Sequence, residues 1–527
     1  MRAFASLLEN LVFSPGRNAK LAHLTAWLQN NSGDARGFGV AAITGDLTLP
    51  HVKGKMIRDL AASTTDEVLF ALSYDFVGDL AETVSLLWPQ THAHNHEDFA
   101  LGEMVRFLQG ASRAEAEAQM RYYLDRLDQT QRWALLKLAT GGLRVGVSAR
   151  LMRVALAGAF DKPVEDIEEI WPLISPPYEP LFDWLEGRKP KPQSEGRAVF
   201  KPLMLANPLE ETDQESLRLS DYQIEWKWDG ARVQLVSAKD GVRLFSRSGD
   251  DISHAFPEMI AGHVFEGVLD GELLAGAPQS LGSFNDLQQR LNRKKPSAKM
   301  IENSPVFMRC YDILMSGGDD LRPMPLTDRR QILETELAAM AHEKLDLSPL
   351  IEAKDWPELE KMRGDCRSDG LIEGVMLKRK QSPYQLGRIK GEWFKWKRDP
   401  LSADLVIMYA QRGHGKRSSK YSDFTFGAWK DTPEGRVLVP VGKAYSGFTD
   451  AELQKLDKFV RDHTVAKFGP VREVEQKLVI EAAFDSLHLS SRHKSGVAMR
   501  FPRFHAIRWD KDPEEADTLA TLLKLIS

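Results

Sequence analysis

Lys227, in the run Lys227-Trp228-Asp229-Gly230, sets an amine beside a turn-forming dipeptide within an alternating apolar and polar stretch, Tyr222 to Val236. That alternation predicts a strand. Lys239-Asp240-Gly241 predicts a turn, and a second alternating run ending in Ser246-Arg247-Ser248-Gly249 predicts the returning strand of a hairpin. A lysine would then stand at a strand end with an arginine close by. A neutral lysine amine can attack phosphorus, and burial or neighbouring cations favour the neutral form. Glu272 and Glu373 are carboxylates from distant segments, and hard oxygen ligands of this kind suit Mg²⁺, which keeps several waters and bridges to substrate phosphates. Lys395 and Lys397 alternate with Trp393, Phe394 and Trp396, so period-two spacing puts both cations on one strand face. There they could neutralise charge that develops in phosphoryl transfer. Each feature alone also describes a solvated surface residue; the weight comes from their number and order.

These segments belong to an ordered series: KWDGAR at Lys227, SRSG around Arg247, VLDGEL ending at Leu273, Phe307 followed by YDIL, EGVMLK at Glu373, WFKWK at Trp393 and FPRFHAIRWDK ending at Lys511. The series resembles the ATP-dependent DNA ligases, within the covalent nucleotidyltransferases that include RNA ligases and mRNA capping enzymes. It covers residues from about 200 to the last residue of the sequence. The resemblance implies a reaction in which AMP passes from ATP to Lys227, then to the 5′-phosphate of a nick in duplex DNA, and is expelled when the 3′-hydroxyl attacks.

It also implies roles. Glu225, two residues before Lys227 and on the same strand face, would accept from the adenine amino group. Arg232 would fork onto phosphate or ribose oxygens. Arg247 would meet the ribose and the DNA terminus. Glu272 would bind ribose, metal or both, and Glu373 would hold Mg²⁺ or Mn²⁺. Phe307 would stack on adenine, although beside Val306 and Met308 its composition is that of a core residue. Lys395 and Lys397 would take the ATP phosphates. Arg503 and Lys511, with Arg508, would close over ATP and orient pyrophosphate. His505-Ala506 and Trp509 are less typical of that last motif, but its charged positions are kept. An RNA ligase is the alternative within the superfamily. A non-catalytic DNA-end-binding scaffold is the alternative outside it, and the complete charged set argues against the scaffold. An NAD-dependent ligase is disfavoured by the lack of a four-cysteine zinc site and of an evident nicotinamide-binding segment.

The elements that must position these residues divide the chain into three expected domains. Residues 1–190 read as all-α, with apolar residues at helical spacing in Ala19 to Leu28, Met104 to Leu108, Tyr122 to Leu127, Trp133 to Leu138 and Leu151 to Phe160. Within this domain GGLRVG, Gly141 to Gly146, resembles the DNA-contacting turn of larger DNA ligases, which makes Arg144 a candidate DNA contact. A polar, proline-bearing connector, Glu186 to Gly196, follows. Residues 200–398 read as an α+β, ATP-grasp-like nucleotidyltransferase domain, with helices expected over Leu281 to Leu291 and Thr327 to Ala341. Residues 399–527 read as an all-β domain, with strands over Ala403 to Ala410, Phe424 to Lys430, Arg436 to Val441 and Lys477 to Ala483, and a helix over Asp450 to Phe459. By resemblance this is an OB-fold.

Composition bounds the rest. A chain of 527 residues is too long for one core. The net charge of −5 argues weakly against a nucleic-acid partner, but whole-chain charge is a poor guide when domains differ and basic residues are localised. Arg388 falls in the basic run Lys378 to Arg398 and Arg412 opens another that runs to Lys420, so both are candidate DNA contacts. Two cysteines without metal-ligand spacing, no apolar leader and no span-length apolar stretch lead us to expect a reduced, cytoplasmic (in a bacterium, nucleoid-associated) monomer without a membrane partner.

Overall fold

The computed structural model describes the chain except for residues 15, 90–96, 142, 195, 263–264, 292, 294, 367–370, 414–419, 470, 491–492 and 527, and the side chains of 75, 76 and 285. It divides into two compact units. One is Met1–Ile167 with Ile174–Lys191 and Pro400–Ile526; the other is Glu168–Leu173 with Pro192–Asp399.

The N-terminal part of the first unit is helical. Arg17–Asn30, Leu101–Gly110, Arg113–Arg126, Gln129–Thr140 and Ala149–Phe160 coincide with the periodic stretches of the sequence. Side-chain caps start several of them: Ser112 with Glu115 and Asp128 with Gln131 form reciprocal capping boxes, and Ser148 accepts from the Leu151 amide. Leu24, Leu28, Leu108, Leu124, Leu136 and Leu156 are buried between the helices. The turn after Gln129–Thr140 bends sharply, with left-handed backbone at Gly141 (φ 66°), Arg144 (φ 44°) and Gly146 (φ 68°). Lys20, buried on Arg17–Asn30, donates to the Val145 carbonyl at 2.5 Å and pins this turn. Gly142 lies outside the described residues.

The C-terminal part of the same unit is a curled antiparallel sheet. Leu401–Arg412 is its spine: Tyr421–Thr432 pairs along one edge, while Val479–Phe484 and then Val471–Val474 share the other. Gly435–Ala444 extends the sheet beyond Tyr421–Thr432, and Arg503–Arg508 pairs Val479–Phe484. The helix Asp450–Asp462 buries Leu453, Leu456 and Val460, with Leu456 and Val460 in a core with Phe424, Phe426, Ile480 and Phe504. The four expected strands and the helix are all present, and the pairs Thr464–Phe468 with Val471–Val474 and Ser486–Leu489 with Val497–Arg500 are added to them.

Among the described residues the second unit contains a short parallel pair, Met204–Leu205 with Gly387–Arg388, and two larger sheets, built from β1 (Asn207–Pro208), β2 (Tyr222–Trp228), β3 (Ala231–Ala238), β4 (Gly241–Ser246), β5 (Gly267–Ala277), β6 (Val306–Ser316), β7 (Leu345–Leu347), β8 (Ile372–Arg379) and β9 (Trp393–Lys397). The order in one sheet is β1-β9-β8-β2, and the main path of the other is β7-β6-β5-β3-β4. The run Tyr222 to Val236, expected as one strand, is thus two strands in different sheets, and the hairpin is β3–β4. The break falls at Asp229-Gly230. A Cβ on Gly230 would lie 2.5 Å from the Leu273 carbonyl and 2.8 Å from Glu272 Cγ, so only glycine lets the crossing chain come this close to β5. Likewise, the stretch expected as one helix from Leu281 begins with the strand pair residue Leu281 and becomes helical only at Phe284–Leu291. Phe284–Leu291 and Leu326–Met340 pack onto β5 and β6 respectively.

Each sheet has one apolar face. In the β1-β9-β8-β2 sheet, Tyr222, Ile224, Val375, Leu377 and Phe394 form a core with Leu359 of the helix Trp356–Asp365. In the other, Val233, Leu235, Leu269, Leu273, Met308 and Ile313 form the corresponding core. The alternation of a strand then leaves the remaining face of each sheet for polar side chains.

Candidate active site

The register across β9, β8 and β2 aligns three rows on the polar face: Lys397–Gly374–Lys227, Lys395–Met376–Glu225 and Trp393–Lys378–Gln223. Residues directly opposite in antiparallel strands share a face, so the backbone alone brings the three lysines of the sequence motifs together with Glu225. Glu373 would point away if β8 were regular. A register shift between Ile372 and Gly374 leaves it as an extra residue in a bulge, which re-aims its side chain. Its carboxylate receives Lys227 Nζ in a hydrogen-bonded ion pair and lies 3.6 Å from Lys397 Nζ.

Lys395 has no carboxylate partner among the described residues. Its own burial and the nearby charges of Arg388, Lys227, Lys397 and Arg247 hold its pKa below the ordinary lysine value. The structure therefore gathers Arg388 and Arg247 to the same cationic cluster. Arg247 is exposed at the tip of a turn closed by the Gly249 amide on the Ser246 carbonyl and the Ser246 amide on the Asp250 carbonyl, both 2.9 Å.

The other sheet contributes Arg232, Glu272 and Arg309, which stand opposite one another across β3, β5 and β6. Burial pushes the Glu272 carboxyl up to about 7, against the pull of Lys227 and Arg232 and with the push of Glu373 and Asp270. Glu272 and Glu373 are thus close enough to feel each other. No group of three or more acidic, histidine or cysteine ligands occurs among the described residues. Two carboxylates still fit a divalent cation whose remaining ligands are waters and substrate phosphates.

Two of the expected nucleotide contacts are engaged with protein neighbours. Arg232 is committed to the protein: it forks onto Asp270 (Nε–Oδ1 3.1 Å, Nη2–Oδ2 2.7 Å) and donates to the Met204 carbonyl and the Tyr384 hydroxyl. Phe307 is 1 % exposed, packed with Trp228, Leu274, Cys366 and Ile372, and the Arg309 guanidinium lies 5.3 Å from its ring. Tyr311 presents an aromatic ring beside the polar rows, its centroid 4.0 Å from Lys378 Nζ, with the Trp393 ring at 4.9 Å. Neither Tyr311 nor Lys378 was marked by spacing as a site residue, although both sit inside quoted motifs. Glu225 is buried and ion-paired to Lys378 at 2.9 Å.

The remaining candidates lie in the first unit. Arg503 donates to Asp485 Oδ1 at 2.9 Å, and Lys511 pairs with Asp404 at 2.6 Å. Arg144 and Arg412 line one cavity of about 880 Å³ together with Arg58, Lys137 and Arg472. The basic run from His414 to Arg417 is outside the described residues.

A lysine near a strand end, held by a carboxylate from the adjacent strand and with cations one strand further on, is an arrangement suited to nucleotidyl transfer. Residues 203–397 match the ATP dependent DNA ligase domain and residues 417–511 the ATP dependent DNA ligase C terminal region. A probable DNA ligase of Koribacter versatilis is 31% identical over 98% of this chain and 95% of its own. A DNA ligase of Archaeoglobus fulgidus is 33% identical over 73% of this chain and 69% of its own. The solved structure "Pmar-Lig_Pre." shares the fold over 96% of this chain and 99% of its own, with a TM-score of 0.63 at 16% identity. The chain belongs to the ATP-dependent DNA ligases.

Proposed function

We propose that Lys227 is the amine that becomes adenylated, and that the nucleotide lies along the polar rows of β9, β8 and β2 with its phosphates toward Lys227 and Lys397 and its base toward Lys378. The observation that carries this reading is the Lys227–Glu373 ion pair beside Lys397 and Lys395, the last with no carboxylate partner among the described residues. Lys227 first gives its ammonium proton to water. The freed Nζ lone pair then forms the bond to the α-phosphorus as the bond to the β-phosphate oxygen breaks. A second proton leaves the nitrogen to the departing pyrophosphate, and the remaining charge of that leaving group is neutralised by Lys395 and Lys397. Glu373 and Glu272 would hold Mg²⁺ or Mn²⁺, which supplies charge neutralisation on the phosphates. Arg247 and Arg388 extend the cationic cluster toward the DNA terminus, while Arg232 acts on the site through Asp270. Tyr311, in place of Phe307, offers the aromatic face for the base.

The substrate of this reading is a 5′-phosphate/3′-hydroxyl nick in duplex DNA, gripped by Arg144 and Arg412 and sealed by a monomer in the cytoplasm. No described helix is long and apolar enough to cross a membrane, and Cys310 and Cys366 are both buried. The domains are 1–190, 200–398 with an ATP-grasp-like build, and 399–527 as an OB-fold, which the curled sheet around Leu401–Arg412 supports. Arg503 and Lys511 serve the pyrophosphate-releasing step from the C-terminal domain once freed from Asp485 and Asp404.

Incubation with radiolabelled ATP tests the central assignment. Lys227→Ala and Lys227→Arg are both expected to acquire no covalent AMP, the first for want of an amine and the second because guanidinium stays protonated. Robust labelling of either would remove Lys227 as the nucleophile.

A further inference from the structure

We propose that Lys378 is a positioning residue that sets the base selectivity of the nucleotide site through Glu225, an inference that rests on Glu225 lying at the base end of that site. Lys378 is 2 % exposed and Glu225 1 %. A charged pair this deep needs several partners to offset lost hydration. The ammonium has them: Glu225 Oε1 at 2.9 Å, the Tyr311 ring at 4.0 Å and the Trp393 ring at 4.9 Å. It therefore sits against two aromatic faces that attract a cation through their ring quadrupoles.

The consequence falls on the carboxylate. Gln223 Nε2 also donates to Oε1, at 2.9 Å, so both protein donors converge on the same oxygen. Oε2 receives no hydrogen bond from a described residue. An ionised carboxylate is acceptor-only. With Oε1 filled and the charge fixed by Lys378, Oε2 is left to accept a hydrogen bond from a ligand and can give none. A purine with an amino group at position 6 satisfies it, and a purine with a 6-oxo group meets it with a second acceptor. The selectivity then lies in the orientation of Glu225, which depends on Lys378. Without the ammonium, Oε1 keeps only the Gln223 donor and the carboxylate is no longer held with Oε2 toward the base, so the preference for a 6-amino group is lost.

The test compares single-turnover labelling of the whole enzyme by ATP and by inosine triphosphate, which carries oxygen where ATP carries the amino group. The parent and Lys378→Arg, which keeps the charge, should favour ATP. Lys378→Met should lower the ATP-over-inosine ratio roughly tenfold or more, the loss of one hydrogen bond to a charged group, and Glu225→Gln should shift it too. If Lys378→Met slows both nucleotides equally, the proposal is overturned. An unshifted ratio in Glu225→Gln would instead show that Glu225 does not meet the base, and the underlying reading falls with it. Should Lys378→Met not fold, Glu225→Gln with Lys378→Met buries no lone charge and carries the test. Its ratio should equal that of Glu225→Gln alone, and a further tenfold change would mean that Lys378 acts by its own contact.

Discussion

Glu272 shows how one side chain's surroundings set a measurable property. Its carboxyl titrates at about 7 in the folded chain, against an ordinary value of 4.5, because burial outweighs the attraction of Lys227 and Arg232. A folded-state value above the unfolded one means that ionising the group works against folding. The penalty is present in full above about pH 7 and vanishes below about 4.5. Glu272→Gln, neutral at every pH, should therefore melt at a higher temperature than the parent at pH 8 in EDTA, with the difference closing as pH falls toward 5. An equal difference at both ends would refute this account. The main charged residues were legible because Lys227, Glu373, Lys395 and Lys397 sit in motifs of fixed order, with strand periodicity adding only that Lys395 and Lys397 share a face. The aromatic was not. Phe307 and Tyr311 are four residues apart on β6, so alternation assigns both to one face, but a register shift leaves Tyr311 as the extra residue of a bulge while Phe307 is regularly paired, and their neighbours differ, Trp228 for one and Lys378 for the other.

Elements were legible where periodicity was unbroken and illegible where one residue ends it. The alternation of Tyr222 to Val236 runs straight through Asp229-Gly230, and the switch between sheets is caused by close backbone approach, a property of the partner strand β5. The bulge at Glu373 is equally silent in composition. Gly374 makes it possible: its φ is +143°, and a Cβ there would fall 2.2 Å from the Trp396 carbonyl. Gly374→Ala should cost about 2 kcal/mol in stability through backbone strain. It should slow adenylation by roughly a hundredfold, as a misplacement near 1 Å does, because Glu373 and Lys227 lose their alignment. Single-turnover labelling beside a melting curve checks this, and an unaltered rate would show that the bulge does not aim Glu373.

At the scale of the molecule, the net charge of −5 conceals local basic surfaces, and sequence order conceals assembly. Three consecutive blocks were expected; the helical N-terminal part and the C-terminal sheet group in one compact unit and most of the chain between them in the other. Contacts so remote in sequence leave no periodic trace. Arg144 and Arg412, far apart in the chain, share a cavity. If both touch DNA phosphates, replacing them with alanine should weaken nick binding irrespective of base sequence. The slope of log affinity against log salt should flatten by roughly 0.9 per contact removed. Fluorescence anisotropy across a KCl series measures both effects, and an unchanged slope would take these arginines off the DNA. Finally, the pairing of β2 with β8 has a consequence for biosynthesis. The strand that carries Lys227 leaves the ribosome well before Ile372–Arg379, its ladder partner, and before the helix Trp356–Asp365 that covers its apolar face. Until then Ile224 and Trp226 form part of an uncovered edge in the nascent chain, so this half of the catalytic unit matures late and slowly.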